Sequence, residues 1–297
     1  MSDLQQSYAI CQQLARKSAS NFYFSFLLLP REKRRAMCAL YAYLRRVDDL
    51  GDNERGGSES RRGALAQLRV ELDRALDGEA RDPILQALAD TTARYQIPRE
   101  YLAAVLDGVE MDLAGRRYET FDELEEYCYR VASVVGLSCI HIWGFRGPEA
   151  LEPARHCGIA FQLTNILRDL KEDASRGRVY LPLEDLQRFN CRVEDLARGE
   201  GNGRLVPLIN FEIARAEEFY AAAGELEPLL ERDGRRVFRA MTETYRALLD
   251  KIRSRPADVF HRRIRIGRLQ KLLIAARAVA SRREPGDLKS AARAVSP

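Results

Sequence analysis

Residues Asn165 to Pro182 read NILRDLKEDASRGRVYLP, and their hydrophobic pattern, together with the residues just before them, predicts an amphipathic helix. One side of that helix is apolar and consists of Leu163, Ile166, Leu167 and Leu170. The other side is polar and consists of Gln162, Asn165, Arg168, Asp169, Glu172 and Asp173. Two of the carboxylates, Asp169 and Asp173, lie one turn apart and repel each other by about a few tenths of a kcal/mol. A hard cation would reverse that penalty, because carboxylate oxygens are the ligands that Mg²⁺ prefers.

The same polar side could instead be an ordinary solvated surface, with Arg168 and Lys171 as local charge partners. This alternative stays open when the stretch is considered alone.

A second stretch favours the metal interpretation. It reads YAYLRRVDDLGD, and on a helical wheel a narrow wedge of it contains Tyr41, Arg45, Asp48 and Asp52. Asp48 and Asp52 repeat the four-residue spacing of the first carboxylate pair. Two such pairs, each accompanied by an arginine and a hydrogen-bonding side chain, predict two walls of one cleft in which metal ions hold a diphosphate.

Three stretches resemble the squalene/phytoene synthase family of head-to-head prenyltransferases. They are DDLGD at 48–52, YCYRVASVVG at 127–136 and QLTNILRDLKEDASRGRVYLP at 162–182. The resemblance extends from about residue 8 to 280. It implies an all-α, single-domain helical bundle around a central cavity, with residues 1–297 as one domain.

The resemblance also implies the chemistry of the site. Ionising an allylic prenyl diphosphate requires metal ions and guanidinium groups to neutralise the departing diphosphate. The expected metal ligands, for Mg²⁺ or alternatively Mn²⁺, are Asp48, Asp52, Asn165, Asp169 and Asp173. Arg45 and Arg168 are expected to grip the diphosphate in bidentate fashion.

An apolar, aromatic cavity is expected to shield the allylic cation from water. The candidates for its lining are Phe22, Phe24, Phe26, Tyr41, Tyr129 and Phe161, each of which is by itself also typical of a plain core. A tyrosine could orient the substrate or remove a proton, and the candidates are Tyr41, Tyr129 and Tyr245. The released diphosphate is an equally good candidate for the general base.

The resemblance to the family leaves several candidates for the product. The stretches at 107–133 and 258–272 look most like the bacterial branch that joins two farnesyl diphosphates into presqualene diphosphate for hopanoid or squalene synthesis. The alternatives are a phytoene synthase that joins two geranylgeranyl diphosphates, and a squalene or dehydrosqualene synthase. NADPH is not expected, although family members that use it need no Rossmann unit, so its use stays open.

Two other classes of protein remain as alternatives. One is a non-catalytic lipid-binding or assembly protein on the same fold, which would predict eroded aspartate pairs, whereas both pairs are intact. The other is a basic helical protein that binds membranes or nucleic acid through Arg262, Arg263, Arg265 and Arg268. The net charge of +4, from 48 basic and 44 acidic residues, is too balanced to indicate nucleic acid.

The composition predicts a cytoplasmic protein. No apolar run approaches the roughly 18 residues that span a bilayer, and the N-terminus lacks a secretory pattern. The six scattered cysteines predict buried, reduced thiols rather than a zinc site. We expect an allylic prenyl diphosphate as substrate, peripheral contact of the basic helix with the inner face of the membrane, and downstream isoprenoid-pathway enzymes as partners.

Hydrophobic periodicity and capping residues predict helices throughout. Their expected ranges are 4–19, 31–50, 64–76, 82–95, 98–114, 120–142, 205–230, 233–254 and 258–282, with the second aspartate helix between Pro148 and Gly177. Residues 21–29 could be a buried strand, since short apolar runs are ambiguous. The glycine-rich segment 51–63 is predicted to be a mobile loop that acts either as a lid beside Asp52 or as an ordinary connection.

Overall fold

The computed structural model describes residues 3–17, 21–52, 57–199, 203–267, 270, 273, 274 and 277. Its α-helices in chain order are α1 (Asp3–Lys17), α2 (Asn21–Phe26), α3 (Arg31–Asp52), α4 (Ser58–Arg74), α5 (Pro83–Tyr95), α6 (Arg99–Leu113), α7 (Phe121–Cys128), α8 (Val134–Trp143), α9 (Leu151–Ser175), α10 (Leu183–Arg188), α11 (Val193–Arg198), α12 (Leu205–Ala223) and α13 (Arg232–Ser254). Within these described ranges there is no β-strand, and an isolated antiparallel bridge joins Phe145 to Leu230. The all-α prediction is confirmed.

The helix with the second aspartate pair, α9, is the longest and packs against α7, α8, α11, α12 and α13. Its predicted apolar side is buried, with Leu163, Ile166, Leu167 and Leu170 each at most 4% exposed. Burying such a side chain contributes about 1.5–3 kcal/mol each. This apolar side fixes which way the polar side of α9 faces.

Two large apolar clusters surround the central part of the chain. The first is built mainly from α1, α3, α4, α5, α6 and α8, and the second from α7, α9 to α13 and the segment after α13. Phe161 on α9 packs against both clusters. The first aspartate helix, α3, therefore belongs to the first cluster, whereas α9 contributes Ala154 and Cys157 to the first cluster and the rest of its buried apolar residues to the second.

The predicted helix 120–142 is divided by a π-helical turn, Tyr129–Ser133, between α7 and α8. Its predicted start is confirmed, because the Thr120 side chain accepts a hydrogen bond from the Glu123 amide. The turn lies against α9 so closely that a Cβ on Gly158 would be 2.6 Å from the Ser133 nitrogen. The Ser133 hydroxyl also donates to the Arg155 carbonyl oxygen at 2.8 Å. A π-helical turn with such contacts is typical of functional regions of helical proteins.

Three sequence predictions are wrong in detail. Residues 21–26 form α2 rather than the strand that the apolar run also allowed, since the described residues contain no strand that could pair with their backbone. The helix predicted over 205–230 changes at Gly224 to a 3₁₀-helix, which contains Pro228, a residue without a backbone N–H. The helix predicted over 258–282 is absent in 261–267, where buried Ile264 and Ile266 alternate with exposed residues, as in an extended chain.

Several other predictions have an outcome in the structure. All six cysteines are free and buried, as expected. Gly177 has a φ of 76° just after α9, which fits its predicted role as a helix stop. In the segment 51–63, α4 already begins at Ser58, and residues 53–56 lie outside the described residues, as does Arg268. Among the helices described, none is both long and apolar enough to cross a bilayer.

Candidate active site

The first acidic wall of the site is the C-terminal end of α3, which carries Asp48 and Asp52. This end packs tightly on α6, since a Cβ on Gly51 would be 2.6 Å from Val109 Cγ1. Asp48 retains accessible surface, but it lines the central cavity, so that surface faces a space enclosed by helices. Burial in this space, followed by repulsion from Asp52, raises the pKa of Asp48 to about 7.

The second acidic wall is the C-terminal part of α9, with Asp169 and Asp173. Burial, followed by repulsion from Asp169, raises the pKa of Asp173 to about 7. Asp169 is already paired, because Arg168 Nε donates to its Oδ1 at 2.9 Å. The two walls therefore share one property: each holds two carboxylates whose negative charges repel one another.

Asp112 at the end of α6 lies close to both walls and is the main site residue that the sequence did not predict. Its carboxylate accepts hydrogen bonds from the hydroxyl groups of Tyr127, at 3.0 Å, and Tyr180, at 2.9 Å. Burial raises the pKa of Asp112, while the tyrosine hydrogen bonds and Arg178 oppose that rise. Asp112 repels Asp48 and Asp173, so it lies electrostatically between the walls.

No sequence signal singles out Asp112 among the acidic residues of α6, because helical spacing alone does not say which face meets the site. The stacked rings of Tyr127 and Tyr180, with centroids 5.1 Å apart, fix the two hydroxyl groups that hold its carboxylate.

Besides Arg168, arginines from three other places surround the acidic walls. Arg178, just after α9, pairs with Asp52 at 3.4 Å, and Arg263 pairs with Asp169 at 3.0 Å. Arg45, which lines the cavity, pairs with the neighbouring Asp49 at 2.6 Å rather than with Asp48. The site end of the cavity is thus a mixed array of carboxylates and guanidinium groups.

The cavity next to this array has a volume of about 410 Å³ and is mostly apolar. At its polar end it is lined by Arg45, Asp48, Asp112, Gln162 and Asn165. Along α9 the lining extends from Ala154 to Asn165, a distance of 11 residues or about 16 Å at 1.5 Å per residue. The far end is closed by Met37, Trp143, Leu226 and Phe238. The cavity is therefore elongated, with charged groups at one end only.

Aromatic side chains form the walls between these ends. Tyr245 and Phe161 stack in parallel with ring centroids 4.1 Å apart, and Phe26 meets Tyr41 edge-on at 6.3 Å. All four rings line the cavity. Burial raises the pKa of Tyr245, so its hydroxyl group stays protonated.

Two residues that were predicted to line the cavity do not line it, and the side chain of a third is outside the described residues. Tyr129 points away from the cavity and lies under the Arg155 guanidinium, because the π-helical turn rotates the residues that follow α7. Phe24 is 40% exposed on the outer side of α2, since Phe26 takes the inward position. The side chain of Phe22 is outside the described residues.

The donor set fits a divalent cation. Both walls concentrate negative charge, and the side-chain oxygen of Asn165 is buried without a hydrogen-bond partner. Within the described part of the chain, no three His, Cys, Asp or Glu side chains converge into a metal cluster. Ligands for a cation would therefore come from pairs of carboxylates, with further oxygens supplied by a bound substrate.

Comparison with known proteins decides the family. The squalene/phytoene synthase family profile matches residues 15–270. The chain belongs to the squalene/phytoene synthase family. A phytoene synthase from Mycobacterium bovis is 39% identical over 284 residues, which cover 95% of this chain and 93% of that protein.

Two solved structures of squalene/phytoene synthase family members share the fold. A dehydrosqualene synthase in complex with a ligand has a TM-score of 0.85 and 30% identity, and the match covers 93% of this chain and 96% of that one. The squalene synthase HpnC from Alicyclobacillus acidocaldarius has a TM-score of 0.79 and 29% identity, with coverage of 84% and 94%. The protein is therefore a prenyltransferase of the squalene/phytoene synthase type, in keeping with the cavity and its two acidic walls.

Proposed function

We propose that the protein condenses two farnesyl diphosphates head to head into presqualene diphosphate and releases one diphosphate. The observation that supports a head-to-head condensation is the elongated apolar cavity with polar and charged groups at one end, among them Asp48 on α3 and Asn165 on α9. Diphosphates suit the charged end and prenyl chains suit the rest. The proposal treats residues 1–297 as one catalytic domain, because this cavity takes its lining from both apolar clusters.

The cofactor in this proposal is Mg²⁺, with Mn²⁺ as a substitute. The residues that would hold it are Asp48, Asp52, Asn165, Asp169 and Asp173. When bound, the metal neutralises the charge that develops on the departing diphosphate. The orphaned Asn165 oxygen and the mutually repelling carboxylates support this assignment.

The protein's own groups bind the diphosphate and shield the cation. Arg45 and Arg168 offer planar guanidinium groups to phosphate oxygens, and each must first exchange its present partner, Asp49 or Asp169. The ring faces of Tyr41, Phe161 and Tyr245 would then lie beside the allylic cation and exclude water. The hydroxyl group of Tyr245 can donate a hydrogen bond but is too weak an acid, with its raised pKa, to be the proton acceptor as phenolate.

The C15 substrate is proposed on the size of the cavity. Its volume of about 410 Å³ lies near the lower end of the range for ligand cavities. Trp143 and Phe238 close the far end with aromatic side chains. Two C15 chains therefore demand less expansion of the cavity than two C20 chains.

Phytoene synthesis from geranylgeranyl diphosphate is the second candidate. It is favoured by the phytoene synthases among the relatives, at 36–39% identity. Squalene or dehydrosqualene as product is favoured by the structural relatives.

The proposed location is the cytoplasm, with peripheral contact at the inner face of the membrane. Arg262 and Arg265 are exposed beyond α13 and would meet anionic lipid, into which an apolar product can pass to the next isoprenoid-pathway enzyme, whereas Arg263 pairs with Asp169 in the site. Failure of the protein to sediment with anionic liposomes at low salt would contradict this location.

The deciding experiment is incubation of the purified protein with labelled farnesyl or geranylgeranyl diphosphate and Mg²⁺, with and without NADPH. We expect a C30 cyclopropyl diphosphate from farnesyl diphosphate that NADPH leaves unchanged. Phytoene from the C20 substrate would establish the second candidate, and squalene formed only with NADPH would establish the third. If neither substrate is consumed while the protein binds lipid or diphosphate, the non-catalytic alternative replaces the enzyme.

A further inference from the structure

The guanidinium group of Arg178 lies among the carboxylates that the proposed function assigns to the metal. It pairs with Asp52 of the first wall at 3.4 Å. It also interacts electrostatically with Asp112 and with Asp173 of the second wall. The Arg178 side chain is 25% exposed, whereas that of Asp52 is 64% exposed, so the pair lies at the solvent-facing edge of the site. Arg178 is thus shared by both walls and by the carboxylate between them.

The backbone around Arg178 directs it back into the site. After α9 ends, Gly177 takes a φ of 76°, a conformation that favours glycine. The Arg178 amide then donates to the Asp173 carbonyl oxygen at 2.9 Å. Two residues later, the Tyr180 hydroxyl group donates a hydrogen bond to the Asp112 carboxylate. One short segment therefore places the Arg178 guanidinium group beside Asp52 and the Tyr180 hydroxyl group beside Asp112.

The neighbouring arginine shows that this placement is specific. Arg176 belongs to the same turn, but its guanidinium pairs with Glu172 at 3.1 Å and its side chain is 52% exposed. Glu172 is outside the proposed metal ligands. Arg176 therefore serves as a matched control for a change of charge in this segment.

We propose that Arg178 is a built-in counter-ion that takes the place of the divalent cation between the two acidic walls, and that the cation must displace it in order to bind. The proposal rests on the proposed function, because it requires that the walls bind a metal. Without a cation, the carboxylates of each pair repel one another, and Asp112 repels Asp48 and Asp173, which destabilises the ends of α3 and α9. The guanidinium of Arg178 offsets that repulsion. The Arg178 guanidinium group and a metal ion cannot bind the same carboxylate oxygens at the same time, so they compete.

The test is direct binding of Mn²⁺, without substrate, measured by electron paramagnetic resonance of the free ion. The variants are Arg178→Gln, Arg178→Lys and, as control, Arg176→Gln. Removal of the competing charge in Arg178→Gln should tighten Mn²⁺ binding roughly three- to fivefold, the factor for one partly solvated ion pair. Arg178→Lys keeps the charge and should bind Mn²⁺ close to the native value, as should Arg176→Gln.

Thermal unfolding supplies a second readout. In EDTA, Arg178→Gln should unfold at a lower temperature than the native protein, and Mn²⁺ should raise its Tm by more than it raises that of the native protein. A variant that is merely damaged would lose stability and bind Mn²⁺ more weakly.

Several results of these measurements would contradict the proposed competition. Mn²⁺ binding in Arg178→Gln that is unchanged or weaker would overturn the competition, as would equal tightening in Arg178→Lys or Arg176→Gln. The proposed function is judged separately in the same preparation by release of diphosphate from prenyl diphosphates. Normal turnover with unaltered Mn²⁺ binding in Arg178→Gln refutes only the counter-ion, whereas absence of turnover in the native protein refutes the enzyme.

Discussion

Replacing Asp173 with asparagine should abolish turnover and yet make the metal-free protein more stable. The pKa of Asp173 is about 7 instead of 3.8, because of burial and the nearby Asp169. Three pKa units at 1.36 kcal/mol each would amount to about 4 kcal/mol. Solvent reaches part of this side chain, so screening reduces the expected gain to about 1–2 kcal/mol. Since an asparagine side chain is uncharged and of similar size to that of aspartate, the substitution removes the repulsion and keeps the packing.

The pH dependence follows from the direction of the shift. A carboxyl group with a raised pKa in the folded state holds its proton more tightly there, so metal-free native protein loses stability as pH rises from about 4 to 7. The Asp173→Asn variant does not lose stability in this way, because asparagine does not titrate. Its advantage should therefore be full at pH 8, shrink to roughly a third at pH 5 and vanish near pH 4.

The assay is thermal unfolding in EDTA at pH 8 and pH 5, with and without excess Mg²⁺. A gain of about 1–2 kcal/mol corresponds to a rise in Tm of about 2–3 °C for a chain of 297 residues. Mg²⁺ should stabilise the native protein and leave the variant unchanged. Glu218→Gln, an exposed carboxylate on α12, is the control and should shift Tm little at either pH. A variant that is less stable than native at pH 8 in EDTA would refute the electrostatic account of this wall.

Three further predictions concern other parts of the molecule. The Mg²⁺ concentration needed for half-maximal turnover should rise as pH falls below about 7, because Asp48, with a pKa of about 7, must lose its proton to bind metal; titrations at pH 6 and 8 that coincide would contradict this. Gly158→Val should lower the free energy of unfolding by about 1–3 kcal/mol or more in urea, since its Cβ would meet the Ser133 backbone, whereas Gly63→Ala on α4, with open space around it, should be neutral or stabilising by about 0.5–1 kcal/mol. Arg215→Met should cost about 3–5 kcal/mol in the same assay, because it leaves Asp185 and Glu212, which are 3% and 1% exposed, without their cation; a variant of native stability would show that the two carboxyl groups are neutral.

Some features of the site are local enough for sequence to predict. The four-residue spacing of Asp48 with Asp52, and of Asp169 with Asp173, sets each pair on one side of its helix whatever the rest of the chain does. The apolar side of α9 was predictable for the same reason, since helical periodicity relates sequence directly to a face. The Thr120 cap depends on residues three apart and was equally accessible.

Other features of the site depend on contacts between distant segments. Asp112 is one of several acidic residues on α6, and only the hydrogen bonds from Tyr127 and Tyr180 distinguish it. Tyr129 was expected in the cavity, but it lies in the π-helical turn and is not among the cavity-lining residues. That turn can approach α9 closely only because Gly158 has no side chain.

The sequence alone determined the helical class, the family, and the residue pairs that form the two acidic walls. The tertiary structure decided which aromatic rings line the cavity, which carboxylate joins the walls, and that Arg178 reaches Asp52 from 126 positions away. The physical reason is the range of the interactions. Helix faces and caps are set by neighbours within one or two turns, whereas ion pairs and cavity walls exist only once the packing of the apolar clusters has fixed where each helix lies.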